Sequence, residues 1–456
     1  MQFDAIIIGS GQAGTPLAFK LASAGQQVAF IEKQHYGGTC VNVGCTPTKA
    51  YVASARRMYD ATHGEALGVN IPAGAKVDLK KVKARKAEIV AGSADGIRDG
   101  LADQEKVSTF WGEAHFTGPK EVSVNGKTLT APQVFINVGG RPRVPESFAS
   151  VDYLTNESIL QLETVPEHLL VIGGSYIGLE FGQMFRRFGS RVTIIEKGDR
   201  LVRREDPETS QAILEILQNE GVDVRLNAEC LDGARQADGQ IEVNIQCEDG
   251  DPTARGSHLL LAVGRAANND RLNLSATGLS VDERGFIPVN DRLETEVKGI
   301  YALGDCNGRG AFTHTAYNDY EILVDHLFAH GDRKVSDRIL NYGLYIDPPL
   351  GRAGMTLTEA RQTGRKLLVG HRPMSKVARA KEKGETQGFM SVVVDAETER
   401  ILGATILGVG GDEIISSLLN VMYADQPYTV IRDSVVPHPT VSELIPTMMQ
   451  GLSRDH

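Results

Sequence analysis

The sequence predicts an α/β protein with two dinucleotide-binding units followed by an α+β unit at the C-terminal end. Three observations predict it. A strand, glycine turn, helix and strand occupy residues 4–32; the same pattern returns 164 residues later; and residues 388–395, 400–407 and 413–423 read as two adjacent strands and a helix. In the first pattern, residues 4–8 read as a buried parallel strand, apolar from Ala5 to Ile8. Gly9-Ser10-Gly11-Gln12-Ala13-Gly14 then opens a helix, and a second apolar run ends at Glu32. Gly9, Gly11 and Gly14 allow a tight turn and a close approach of backbone to a pyrophosphate, which the helix N-terminus attracts. Glu32 falls where a carboxylate accepts from a ribose diol.

The second pattern repeats the first position by position. Gly9, Gly14, Gly25 and Glu32 recur as Gly173, Gly178, Gly189 and Glu196. Ser175 stands where the middle glycine belongs, so the phosphate approach there is crowded or gains a hydroxyl donor. Two Rossmann-like units imply two dinucleotides, most simply FAD and a nicotinamide cofactor.

Bulk properties narrow the class. At roughly 100–200 residues per domain, 456 residues make about three domains. A net charge of −10 argues against a broad nucleic-acid face, which needs a basic stripe. No apolar stretch approaches the ~20 residues of a membrane span, and the N-terminal apolar run is too short for a signal peptide. A cytoplasmic protein is expected. Five cysteines are too few for a secreted disulfide framework. In a reducing compartment, the close pair Cys40 and Cys45 points to redox or catalytic use rather than to a structural bridge.

That pair lies in Gly37-Gly38-Thr39-Cys40-Val41-Asn42-Val43-Gly44-Cys45-Thr46-Pro47-Thr48-Lys49. Thr46-Pro47 predicts a helix starting just after Cys45, and a cysteine at a helix N-terminus forms its thiolate more readily. The four intervening residues permit a bridge without determining one. The segment resembles the active site of the flavin disulfide reductases, the class I pyridine nucleotide-disulfide oxidoreductases. Dihydrolipoamide dehydrogenase, glutathione reductase and mercuric reductase are members. The resemblance continues through Trp111 to Ala114, Val138 to Pro142, Ala262 to Arg265, Tyr301 to Asp305 and Phe312-Thr313-His314.

The resemblance implies a redox-active disulfide in which Cys40 exchanges with substrate and Cys45 faces the flavin. It places Gly9, Gly11, Gly14, Glu32, Thr39, Ala114, Gly140, Asp305, Phe312 and Thr313 around FAD. Gly173, Gly178, Glu196 and Gly264 fall to the nicotinamide cofactor. Lys49 and Glu180 match a lysine–glutamate pair between the two cofactors. Near the C-terminus, Pro437-His438-Pro439-Thr440-Val441-Ser442-Glu443 resembles the acid–base segment of dihydrolipoamide dehydrogenase. Thiol–disulfide exchange needs a proton acceptor and donor; histidine titrates near neutrality and a carboxylate fixes its tautomer. By resemblance, His438 and Glu443 complete the site of the other subunit, so the C-terminal unit is a dimerisation domain and the protein a homodimer.

For the oxidant, Ser175 in its turn, Pro348 to Thr356 and Arg379-Ala380-Lys381 are similar to mercuric reductases and to the reactive-chlorine-resistance metal reductases. No cysteine follows Cys306, so no second thiol relay is expected. The expected acceptor is a thiophilic metal ion, Hg(II) or Cu(II), or a related oxidant. The alternatives are a small disulfide such as lipoamide, or a redox-sensing flavoprotein that is not an enzyme. Glu196 favours NADH by repelling a 2′-phosphate, while Lys197, Arg203 and Arg204 leave NADPH possible. No resident metal is expected. The predicted domains are 1–145 and 271–340 for FAD, 146–270 for the nicotinamide cofactor and 341–456 for dimerisation. Residues 76–86 read as the solvated face of a long helix, Met448-Met449 as part of an interface helix, and Cys230 and Cys247 as packing or surface residues; Cys306 has no assigned role.

Overall fold

Strands without polar alternation must be covered on both faces, and both nucleotide units are built on such strands. The computed structural model describes residues 1–247 and 250–455. Its first sheet is parallel, ordered Ile300–Ala302, Gln133–Ile136, Ala5–Ile8, Val28–Glu32, Val107–Trp111. Every residue of Ala5–Ile8 and Val28–Glu32 is buried. The edge strand Ile300–Ala302 follows the second unit in the chain, so the first unit closes only when the chain returns to it. The second sheet, also parallel, is ordered Asp223–Arg225, Arg191–Ile195, His168–Ile172, His258–Leu261. Short strands Gly140–Pro142 and Arg265–Ala267 pair antiparallel where the chain leaves and re-enters the first unit.

The C-terminal unit carries the two strands and the helix read from the sequence, as Phe389–Asp395, Ile401–Leu407 and Gly411–Tyr423. The sequence predicts a mixed sheet with helices for this unit; in its six-stranded sheet every pairing is antiparallel. Short links join Phe389–Asp395 to Ile401–Leu407 and Asn341–Leu344 to Leu350–Gly354, too short for a parallel crossover. Met448 and Met449 are buried in this unit's own core rather than displayed for a partner. The long helix is Leu79–Ala102, capped by Asp78, which accepts from Lys81 N. Its basic face is not wholly solvated: Lys86 is buried, which pushes its pKa down, and Arg85 donates to Ala50 O.

Two charged junctions join the units. Arg187 donates to Glu220 at 2.7 Å and to Asp347 at 2.5 Å, and Arg56 reaches Asp347 and Glu385. Arg352, with 2% of its side chain exposed, pairs at 2.5 Å with Glu205, which is fully buried. Removing one member of such a pair strands the other charge in the interior. Arg352→Met is therefore expected to cost ~3–5 kcal/mol, read as a fall in the urea midpoint of unfolding; an unchanged midpoint would show that Glu205 is stabilised by other groups.

Candidate active site

The two glycine turns share a geometry that explains their repeated acids. Glu32 Oε2 accepts from Ser10 N at 2.9 Å and Ser10 Oγ at 2.6 Å. Its Oε1 accepts from the amides of Lys33, Gln34 and His35. Glu196 does the same work in the second unit, accepting from Gly174 N and Gly198 N, each at 2.7 Å. Each acid therefore ties its strand end to the turn after the first glycine, which fixes the loop against which a ribose would lie.

The glycines are sterically required. A Cβ on Gly9 would stand 2.2 Å from Asn137 O, and one on Gly14 would stand 2.3 Å from Gly9 O. In the second turn the corresponding clashes are Gly173 with Ala262 O at 2.5 Å and Gly178 with Gly173 O at 2.0 Å. Ser175 is tolerated because its backbone is extended, at φ −119°, and its side chain is exposed. Asn137, which the sequence reading missed, locks the first turn. Its Oδ1 accepts from Gly14 N, and its Nδ2 donates to Leu303 O beside Gly304-Asp305. Asp305 is 3.7 Å from Arg265, and burial pushes its carboxyl above the ordinary range. Arg265 also donates to Gly140 O, and Gly264 before it has φ +111°. Ala114 is buried at the start of the strand Ala114–Gly118. Tight glycine turns at helix N-termini, each with a carboxylate at the neighbouring strand end, suit a dinucleotide in both units.

The cysteine segment packs on the first turn: a Cβ on Gly38 would meet Gly11 Cα at 3.1 Å. Thr39 and Cys40 lie in the short helix Gly38–Asn42. The following helix is Cys45–Asp60, so it begins at Cys45 itself, one residue earlier than Thr46-Pro47 suggested. Gly44 is the reason. A Cβ there would stand 2.8 Å from Thr39 O and 3.1 Å from Cys40 Cα, so only glycine lets the chain fold back on Cys40. Asn156, also missed, donates to Val43 O and holds this loop.

Both thiols meet one hydroxyl. Thr313 Oγ1 lies 3.1 Å from Cys40 Sγ and 3.1 Å from Cys45 Sγ. The two thiols are free and meet at the same hydroxyl. Cys45 is lowered to about 6, first by the hydrogen bond from Cys40, with Thr313 and the Lys49 ammonium adding to it against burial. Cys40 is pushed well above the ordinary thiol range by that same bond and by burial. The proton thus stays on Cys40, which donates it to the Cys45 thiolate. Lys49 pairs with Glu180 at 2.7 Å, and its ammonium sits 4.3 Å above the ring of Tyr345, whose N–H donates to Glu180. Tyr345 had no signal in the sequence, because it arrives from the C-terminal unit. Thr313→Val removes the hydroxyl that the two sulfurs share. The midpoint for Cys45 thiolate formation, followed by absorbance at 240 nm, is expected to rise by ~1 pH unit; an unmoved midpoint would assign the lowering to Cys40 and Lys49 alone.

His438 Nδ1 lies 2.7 Å from Glu443 Oε2, with the imidazole side chain 77% exposed and the acid 12%. Among the described residues, no hydrogen bond joins either to Cys40 or Cys45 of the same chain. No cluster of three or more His, Cys, Asp or Glu among the described residues could hold a metal ion, and no described helix is long and apolar enough to cross a membrane. Cys230 and Cys247 pack at the edge of the second unit's core, and Cys306 is buried, donating to Leu303 O.

Residues 3–319 match the model of the pyridine nucleotide-disulphide oxidoreductases, and residues 341–449 match the dimerisation domain of the same proteins. The chain belongs to the pyridine nucleotide-disulphide oxidoreductase family. It is an NAD(P)H-dependent flavin disulfide reductase by family, and Cys40–Cys45 is its redox pair. The family uses FAD and NAD(P)H, and a dimerisation domain implies a homodimer. The chain is 34% identical to the probable pyridine nucleotide-disulfide oxidoreductase RclA of Escherichia coli K12, with 97% of each chain covered. It is 34% identical to the dihydrolipoyl dehydrogenase of Thermus scotoductus over 97% of this chain and 95% of the relative. Against the mercuric reductase of Lysinibacillus sphaericus, identity is 30% over 97% and 81%. A solved Cu(II) complex of the HOCl-induced flavoprotein disulfide reductase RclA from Escherichia coli superposes with a TM-score of 0.89 at 34% identity, covering 98% of this chain and 100% of that one.

Proposed function

We propose that this oxidoreductase, with FAD bound and NADH as donor, uses the Cys40–Cys45 dithiol to reduce a thiophilic metal ion, Hg(II) or Cu(II), or a related oxidant. The carrying observation is the geometry of the thiol pair: the Cys40 and Cys45 sulfurs each lie 3.1 Å from the Thr313 hydroxyl, and Cys45 is held below the ordinary thiol range. Two adjacent soft sulfur donors suit such an ion, and the related RclA has been solved as a Cu(II) complex. Oxidation of the Cys40 thiol and Cys45 thiolate to the disulfide releases two electrons and one proton, enough for one Hg(II) to Hg(0) or two Cu(II) to Cu(I).

FAD supplies the two-electron link between nicotinamide and disulfide. Around it we assign Gly9, Gly11, Gly14, Glu32, Thr39, Ala114, Gly140, Asp305, Phe312 and Thr313, and to the nicotinamide cofactor Gly173, Gly178, Glu196 and Gly264. Lys49, held by Glu180, keeps a positive charge beside the Cys45 thiolate. Cys40 holds its proton tightly, so its attack requires a base; His438, oriented by Glu443, fills that role from the partner subunit. We place the domain limits near residues 145, 270 and 340. A second reading, a small-disulfide oxidoreductase acting on lipoamide, draws support from the His438–Glu443 pair.

Steady-state NADH oxidation with Hg(II), Cu(II), lipoamide and glutathione disulfide separates these readings. Metal-dependent turnover supports the first. Turnover with lipoamide alone, at ~1–10³ s⁻¹, would replace it with the second. Glu196, with both oxygens already oriented by amides, is expected to favour NADH; a lower KM for NADPH at equal kcat would refute that preference.

A further inference from the structure

Between the second glycine turn and the thiol pair stand three aromatic rings from three parts of the chain. Tyr176 opens the helix Tyr176–Phe188 directly after Ser175. Phe312 precedes Thr313, which touches both sulfurs. Tyr342 comes from the strand Asn341–Leu344 of the C-terminal unit. The Tyr342 ring lies 5.4 Å from that of Phe312, stacked, and 5.5 Å from that of Tyr176, edge-on. Tyr176 and Phe312 are 5.9 Å apart, also edge-on. The Arg204 guanidinium lies 5.5 Å from the Tyr176 ring and 5.7 Å from the Tyr342 ring.

Tyr342 is the member of this trio that is tied down. It is 4% exposed, and its hydroxyl donates to Glu205 Oε1. The other oxygen of Glu205 accepts from Arg352 Nη2 at 2.5 Å and Nε at 3.2 Å. Arg352 in turn donates to Met355 O. A buried ion pair adds little net stability over an apolar filling of the same volume, so stability alone does not account for it. What a phenol bonded to a fixed carboxylate does provide is a single ring orientation. Tyr176, by contrast, directly follows Ser175 of the second glycine turn and has a buried hydroxyl with no hydrogen-bond partner among the described residues.

We propose that Tyr342 is a positioning residue: anchored through Glu205 to Arg352, it fixes Tyr176 and Phe312 as the wall shared by the dinucleotide of the second unit and the thiol pair. The inference rests on the reading that this unit binds NADH. It goes beyond that reading by making nicotinamide affinity depend on a residue of the dimerisation domain. It also gives Arg352, within the segment Pro348 to Thr356, a task in the reaction.

Tyr342→Phe in the FAD-loaded protein keeps the ring and the Glu205–Arg352 pair while removing the anchor. Calorimetric titration with NAD⁺, which is bound without turnover, is expected to show a Kd raised ~5–10-fold. The KM for NADH should rise in parallel, with kcat at saturating NADH within about two-fold of the parent. Tyr176→Phe should weaken NAD⁺ binding too, and the double variant should bind no worse than the weaker single one, because both changes break one arrangement. An unchanged Kd in Tyr342→Phe, with or without a lower urea midpoint, would overturn the inference, and so would two single effects that simply multiply. If the parent protein bound neither NAD⁺ nor NADP⁺, the dinucleotide reading would fall and take the inference with it, a failure the parent titration alone reveals.

Discussion

Cys40→Ser is expected to lower acceptor-linked NADH oxidation by ~10³-fold or more while leaving reduction of the bound flavin by NADH in place. Cys40 is the thiol we assign to the acceptor. Cys45 stays, with Lys49 and Thr313 still beside it. Its thiolate state supplies a second readout. Cys45 is lowered to about 6 from 9.0, mainly by a hydrogen bond from Cys40. Below that midpoint it is a thiol and above it a thiolate, so its alkylation by iodoacetamide should speed up as the pH rises through about 6. A serine hydroxyl can still donate to the sulfur, so in Cys40→Ser the midpoint should stay well below that of a free thiol. Cys40→Ala removes the donor and should move it upward. Acceptor turnover that survives Cys40→Ser would mean that electrons leave by another route, directly from the flavin.

The parts of this fold that were legible in the sequence are those fixed by short-range geometry. A glycine turn between two apolar runs specifies its own backbone, which is why Gly9, Gly14, Gly173 and Gly178 stand at sterically closed positions. The parallel sheets follow, because strands joined by crossover helices have no other way to bury both faces. The antiparallel order of the last sheet was not legible, since period-two runs do not reveal which neighbour they pair with. The side chains that arrive from a distant segment were missed for the same reason. Asn137 reaches the first turn and Leu303; Tyr345 covers Lys49 from the C-terminal unit. Thr313 was legible as part of a motif along the flavin, but its contact with both sulfurs needed the fold to bring residues 40, 45 and 313 together. Lys86 misled because a lysine in a basic run is ordinarily solvated, and here the surrounding packing buries it.

His438→Ala is expected to lower turnover with a disulfide or thiol acceptor by ~10²–10⁴-fold, without changing flavin reduction by NADH. The reason lies in the asymmetry of the thiols. Cys40 is held above the ordinary thiol range, so at neutral pH it is a poor nucleophile until something removes its proton. His438, the base we propose, is an exposed imidazole whose Nδ1 faces Glu443 at 2.7 Å. Among the described residues His438 makes no hydrogen bond to the thiols of its own chain, in keeping with our proposal that it acts on the partner's pair. Mixing tests this directly. Cys40→Ser and His438→Ala homodimers are each inactive by this account, but a heterodimer pairs the intact Cys40 of one subunit with the intact His438 of the other. Unfolding and refolding an equal mixture should restore about a quarter of the parent activity, since half of randomly formed dimers are mixed and each carries one working site. A mixture that stays as inactive as its parents would place Cys40 and His438 in the same site of the same chain. Activity that returns with metal ions in His438→Ala alone would show that a metal acceptor withdraws the Cys40 proton without a base, as a thiolate-binding ion can.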